Sequence, residues 1–181
     1  MKILMIIAQR DFRDEEFQEP YEIFKENDIV VDVASKEAGD CIGSKGAQVV
    51  ADRALRDVEV PQYFAIVLVG GPGAPGYIGD SEIIRILDDA MKQDIVISAI
   101  CIAPLILSKG GYLDGRRATV WNGDGNQAAI LENGGATYVD EPVVVDGRLV
   151  TGNGPDAARK FGETVLKVAE CEDCWKRPGP A

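Results

Sequence analysis

Residues 96–107 read VISAICIAPLIL, and Cys101 is the only thiol in that run. A cysteine sulfur adds to carbonyl carbons when a base takes its proton or its pKa is lowered, and an exposed low-pKa thiol also reacts with oxidants. Ala99 and Ala103 stand two residues to either side of Cys101. Small residues at those positions are what a strand turning sharply into a helix requires around an exposed nucleophile. Pro104 suits the first turn of the following helix, where its missing N–H costs nothing. This placement predicts a thiol at a helix N-terminus, whose field favours the thiolate. A buried cysteine acting as a small hydrophobe is the competing reading. The chain contains no histidine, so no cysteine–histidine dyad can form.

A second chemical feature is GGPGAPG at 70–76. Gly71, Gly73 and Gly76 satisfy the dinucleotide-binding spacing formally. Pro72 and Pro75 interrupt it, however, and Asp94 precedes a strand rather than ending one. The cluster reads instead as a turn at the carboxyl end of a strand. Glycine amides there can also donate to an anion forming nearby.

These residues need a scaffold. Apolar strands at Lys2–Ala8, Ile29–Ala34, Phe64–Val69 and Ile95–Ile100 alternate with helical patterns at Asp14–Asn27, Ser81–Gln93 and Ala103–Lys109. In the second helix Ile83, Ile84 and Leu87 are expected on one buried face, with Ser81 or Asp80 as its cap. A hairpin is expected over Cys41–Val50, turning at Lys45-Gly46. Further on come a short strand at Ala118–Val120, a helix at Gly125–Glu132, a hairpin across Asp146-Gly147 and a last helix from Pro155 to Glu170. Such alternation predicts an α/β sandwich, mostly parallel, with helices on both faces.

The 181 residues, 46% of them hydrophobic, suit one domain over 1–170 with a flexible tail at 171–181. The net charge of −11 repels phosphate backbones and anionic lipid, which argues against nucleic acid and membrane as partners. Ile3–Ala8 is too short for a membrane span or a secretory core, and a cytoplasmic protein is expected. Cys41, Cys101, Cys171 and Cys174 are too sparse for a disulfide framework and read as free thiols. Cys171 and Cys174 have the spacing of a redox pair or half a metal site, but without histidine they read as tail. No metal and no cofactor is expected.

The segments FRDEEFQEP (12–20), LVGGPG (68–73), AICIAP (99–104) and VVVDGRLVTGNGP (143–155) together resemble the ThiJ/PfpI superfamily. The resemblance implies a flavodoxin-like fold carrying a cysteine nucleophile elbow, and a homodimer or higher oligomer. It also implies roles for particular residues. Glu16 would contact Cys101, and the amides of Gly71 and Ile102 would form an anion hole. Gly70, Trp121, Asn122 and Pro155 would border the pocket. Ile102 and Trp121 stand where branches of the group carry histidine. Proteolysis and glutamine amidotransfer through a dyad are therefore disfavoured.

Two classes of chemistry remain. In the first, a Cys101 thiolate assisted by a protonated Glu16 adds to a small reactive carbonyl, in a glyoxalase- or deglycase-like hydration. In the second, Cys101 is oxidised to sulfenic or sulfinic acid in a redox-responsive stress protein. A hydratase acting on isonitriles is a further branch of the resemblance.

Overall fold

The computed structural model describes residues 1–171. The first half forms β1 (Lys2–Ile6), β2 (Arg10–Phe12), α1 (Asp14–Glu26), β3 (Val30–Ser35), β4 (Gly39–Gly43), β5 (Gln48–Ala51), β6 (Arg53–Ala54) and β7 (Ala65–Leu68). The second half forms α2 (Ser81–Lys92), β8 (Val96–Ile100), α3 (Pro104–Lys109), β9 (Arg117–Ala118), α4 (Gln127–Asn133), β10 (Thr137–Tyr138), β11 (Val143–Asp146), β12 (Leu149–Gly152) and α5 (Ala158–Glu170).

The central sheet has the order β11-β12-β8-β7-β1-β3-β6. All its pairs are parallel except the β11–β12 hairpin. Its inner strands are apolar runs because both faces are covered; β7 and β8 are buried throughout. From β1 the chain crosses through α1 to β3 on one side, whereas β7 crosses through α2 to β8 on the other. Right-handed crossovers in opposite directions put α1 and α2 on opposite faces. α5 returns to pack along α1. Gly162 allows the close approach, since a Cβ there would press on Pro20. The reversal beside β1 and β7 is a topological switch point, whose crevice at the strands' carboxyl ends is where ligands bind in open α/β sheets.

Several boundaries depart from the expectation. Ile84 is exposed, and Ile86 joins Ile83 and Leu87 on the buried face of α2, which Asp80 caps through the Glu82 amide. The late hairpin pairs Asp146 with Leu149, so its turn is Gly147-Arg148. α4 starts only at Gln127 because Asp124 turns the preceding backbone by accepting from the Asn126 N–H. β9 pairs with β10 outside the central sheet. The last helix begins with a 3-10 turn over Pro155–Ala157. Cys41 and Cys101 are free, but Cys171 is disulfide-bonded, against the expectation of free thiols. Cys174 and the rest of the expected tail lie outside the described residues. No helix among those described is long and apolar enough to cross a membrane.

A small sheet, β2-β4-β5, caps the carboxyl edge. It is tied to α1 by Asp14, whose buried carboxylate accepts the Lys45 and Ala47 N–H groups at 2.9 and 2.7 Å. Gly43 leaves the space that this carboxylate fills. The Asp14→Ala variant leaves two amides without their acceptor and should lose about 2–3 kcal/mol in denaturant unfolding. Removing the exposed Asp57 carboxylate in the same assay should change stability by less than about 0.5 kcal/mol.

Candidate active site

Cys101 follows the last residue of β8 and has φ +62°. A non-glycine residue in this region is strained and persists only where its neighbours fix it. Both of its backbone groups are tied: its N–H donates to the Gly152 carbonyl (2.9 Å), and its carbonyl accepts the Trp121 N–H (2.9 Å). The Ala103 N–H closes the turn onto Ile100 O (3.1 Å). Ala99 and Ala103 are fully buried, as the pattern around the thiol requires.

Glu16 lies in the first turn of α1, yet its side chain is 0% exposed. The loop before α1 brings it to the thiol. The Arg13 N–H donates to Gly70 O (2.9 Å), and the Gly73 N–H donates to Asp11 O (3.0 Å), clamping β2 against the turn after β7. A Cβ on Gly70 would overlap Glu16 Oε2, Ile100 O and the Cys101 Cβ; one on Gly71, where φ is +107°, would overlap the backbone of residues 11–13. The glycine pair is thus a packing requirement. Gly70 itself sits behind Glu16 and Cys101 rather than on the cavity wall.

Neither Glu16 oxygen has a partner of hydrogen-bonding geometry. Burial pushes this carboxyl up to about 7, opposed by the Cys101 thiol, the Arg13 cation and the Gly70 amide. Burial also pushes the Cys101 thiol up to about 12, helped by the charge and close approach of Glu16; the amides of Ile102 and Gly71 act in the opposite sense. With Glu16 charged, the direction at Cys101 is thus upward, opposite to the lowering expected from a helix end. The reason is that α3 has only six residues and starts at Pro104, so its field is small beside the desolvation of the sulfur. The two groups are coupled, since a proton on Glu16 removes one of the charges that hold the thiol up.

A cavity of about 300 Å³ opens above the pair, lined by Arg13, Gly71, Pro72, Pro75, Ile102, Trp121 and Pro155. Trp121 stands at the wall. Asn122 does not line the cavity: its Oδ1 accepts the Ala128 N–H (3.1 Å) at the start of α4. The sequence reading missed Arg13, although its place three residues before Glu16 on a helix start was a usable signal. It met Pro72 and Pro75 only as breaks in a nucleotide motif. Among the described residues no group of three or more His, Cys, Asp or Glu side chains is placed to hold a metal ion.

The raised Glu16 has a consequence for stability. Between pH 4.5 and about 7 the folded chain keeps a proton that the unfolded chain has lost, so stability falls as pH rises through this window. Glu16→Gln removes that penalty. The variant should exceed the wild type by roughly 3 kcal/mol at pH 8 and show little of this advantage at pH 4, read from denaturant midpoints.

A family model described as the DJ-1/PfpI family matches residues 1–168. An uncharacterized protein of Methanocaldococcus jannaschii is 41% identical over 170 residues, covering 93% of this chain and 82% of its own. Protein/nucleic acid deglycase 2 of Escherichia coli K12 is 30% identical over 173 residues, covering 92% of this chain and 97% of its own. The crystal structure of a ThiJ/PfpI domain protein from Brachyspira murdochii superposes with a TM-score of 0.87 at 25% identity, covering 92% of this chain and 95% of its own. The model match spans the clamp, the glycine pair and the cysteine turn alike, and the chain belongs to the DJ-1/PfpI family.

Proposed function

We propose that the protein is a cysteine-dependent enzyme acting on small reactive carbonyls, with glyoxalase- or deglycase-like chemistry, in which Cys101 is the nucleophile on an elbow and Glu16 its base. One observation carries this reading: a strained, pocket-facing thiol stands beside a fully buried carboxyl pushed up to about 7. A general base works best with a pKa near the working pH. Glu16 thus fills the role that histidine takes elsewhere, and the absence of histidine no longer counts against turnover. The deglycase among the relatives supports the substrate class.

The steps follow from the geometry. As the sulfur bonds to the aldehyde carbon of a 1,2-dicarbonyl, its proton passes to Glu16. The carboxylate charge that opposes ionisation of the thiol is neutralised in the same act. The amides of Gly71 and Ile102 are the donors for the developing oxyanion. Glu16 returns the proton to that oxygen, giving a hemithioacetal. It then moves the proton on the former aldehyde carbon to the neighbouring carbon, while the hydroxyl proton passes to the neighbouring carbonyl oxygen, leaving a thioester of a 2-hydroxy acid. Water hydrolyses the thioester and restores the thiol. The net change is addition of one water, with no external oxidant. The redox-sensor reading is weaker, because oxidation proceeds through the thiolate, which burial and the charge of Glu16 both disfavour.

Methylglyoxal turnover tests the proposal. Cys101→Ser should abolish it, and Glu16→Gln should lower it by on the order of 10²-fold or more. The wild-type kcat/KM should rise with ionisation of Glu16, with a midpoint near pH 7, and this rise should be absent from the residual rate of Glu16→Gln. Undiminished turnover by Cys101→Ser, or none by the wild type, would refute the reading.

A further inference from the structure

Among the described residues, Arg13 is the one cationic side chain lining the cavity above Cys101. Its side chain is 31% exposed and is anchored through Nε to Glu15 Oε2 at 2.8 Å. Glu15 also pairs, through Oε1, with Lys45. One carboxylate therefore lies between two cations, while Glu19 and Asp156 share that surface and Glu16 shares the cavity. The Nε–Oε2 contact is an ion pair without hydrogen-bonding geometry, and the terminal N–H groups of the fork are left to meet a second carboxylate. The chain as a whole, with 30 acidic and 19 basic residues, offers anions no long-range attraction. Among the described side chains lining the cavity, the charge that can meet a carboxylate is that of Arg13.

We infer that Arg13 makes the cavity select carbonyl compounds that carry a carboxylate next to the reacting carbonyl, 2-oxo acids of glyoxylate's size, over neutral carbonyls. The inference rests on the reading of Cys101 as a carbonyl-adding nucleophile. In the adduct the sulfur bonds to the carbonyl carbon and the C=O π pair moves onto oxygen. The thiol proton travels through Glu16 to that oxygen. The product is a hemithioacetal, with nothing oxidised or reduced, and the carboxylate lies against the guanidinium. A negative charge beside Glu16 also favours its neutral form, which is the form it takes on accepting the thiol proton. Glyoxylate has no second ketone or aldehyde to receive the migrating proton, so it stops at the adduct and reports binding rather than turnover.

The test is protection of Cys101 in the full chain against iodoacetamide, read by mass spectrometry of the Cys101 peptide, with glyoxylate and methylglyoxal as probes. The two aldehydes differ in intrinsic reactivity, so the decisive quantity is how their protection ratio changes on substitution. Arg13→Gln should shift the ratio against glyoxylate by about tenfold, with a smaller shift in Arg13→Lys, which keeps the charge but not the fork. The methylglyoxal arm of each variant shows that its pocket is intact. Should Arg13→Gln not fold, the shift in Arg13→Lys decides. A ratio unchanged in the deciding variant overturns the inference and leaves the carbonyl reading standing. If neither aldehyde protects the wild type, the carbonyl reading falls and the inference with it.

Discussion

The contact between Glu16 and Cys101 is the constraint around which this molecule is arranged. A carboxyl with no exposure and no partner of hydrogen-bonding geometry is unfavourable when charged, and a thiol on a left-handed turn is strained. Each persists because surrounding elements hold it. The clamp between residues 10–13 and 70–73 brings the first turn of α1 over the sheet edge. Asp14 ties the same turn to the β4–β5 hairpin. Gly152 and Trp121 fix the backbone of Cys101 from two sides. The reversal of chain direction beside β1 and β7 supplies the crevice in which all of this meets.

Burial does different work on the two groups. It lifts the carboxyl into the range where a base is useful and lifts the thiol out of the range where it ionises unaided. Their titrations are coupled, because each charge disfavours the other. The arrangement also carries a stability cost, since an ionised Glu16 has little to compensate its lost hydration.

Much of this was legible in the sequence, and the residues show why. Continuous apolar runs such as FAIVLV fixed the parallel sheet, because only strands covered on both faces are apolar throughout. The alanines around Cys101 announced the turn. The sign of the thiol's shift was not legible: helix position suggested a lowered pKa, but desolvation depends on contacts made by residues far apart in sequence. Glu16 was marked by the family resemblance and not by its neighbours, because the clamp that buries it joins segments far apart in sequence. Arg13 was overlooked because a single charge at a helix start has no periodicity to mark it. Asn122 was assigned to the pocket from its position after a strand, and its side chain instead caps α4. Local turn chemistry decided that orientation.

The central claim is that Cys101 rests as a thiol beside an ionisable Glu16, and a direct titration of the sulfur tests it. The thiolate absorbs in the ultraviolet, so the difference between wild type and Cys101→Ser, followed as a function of pH, isolates the Cys101 signal. The account predicts no thiolate step through the neutral range, with ionisation only towards about pH 12. A thiolate step at or below neutrality would contradict it, and would place the resting proton on Glu16 instead.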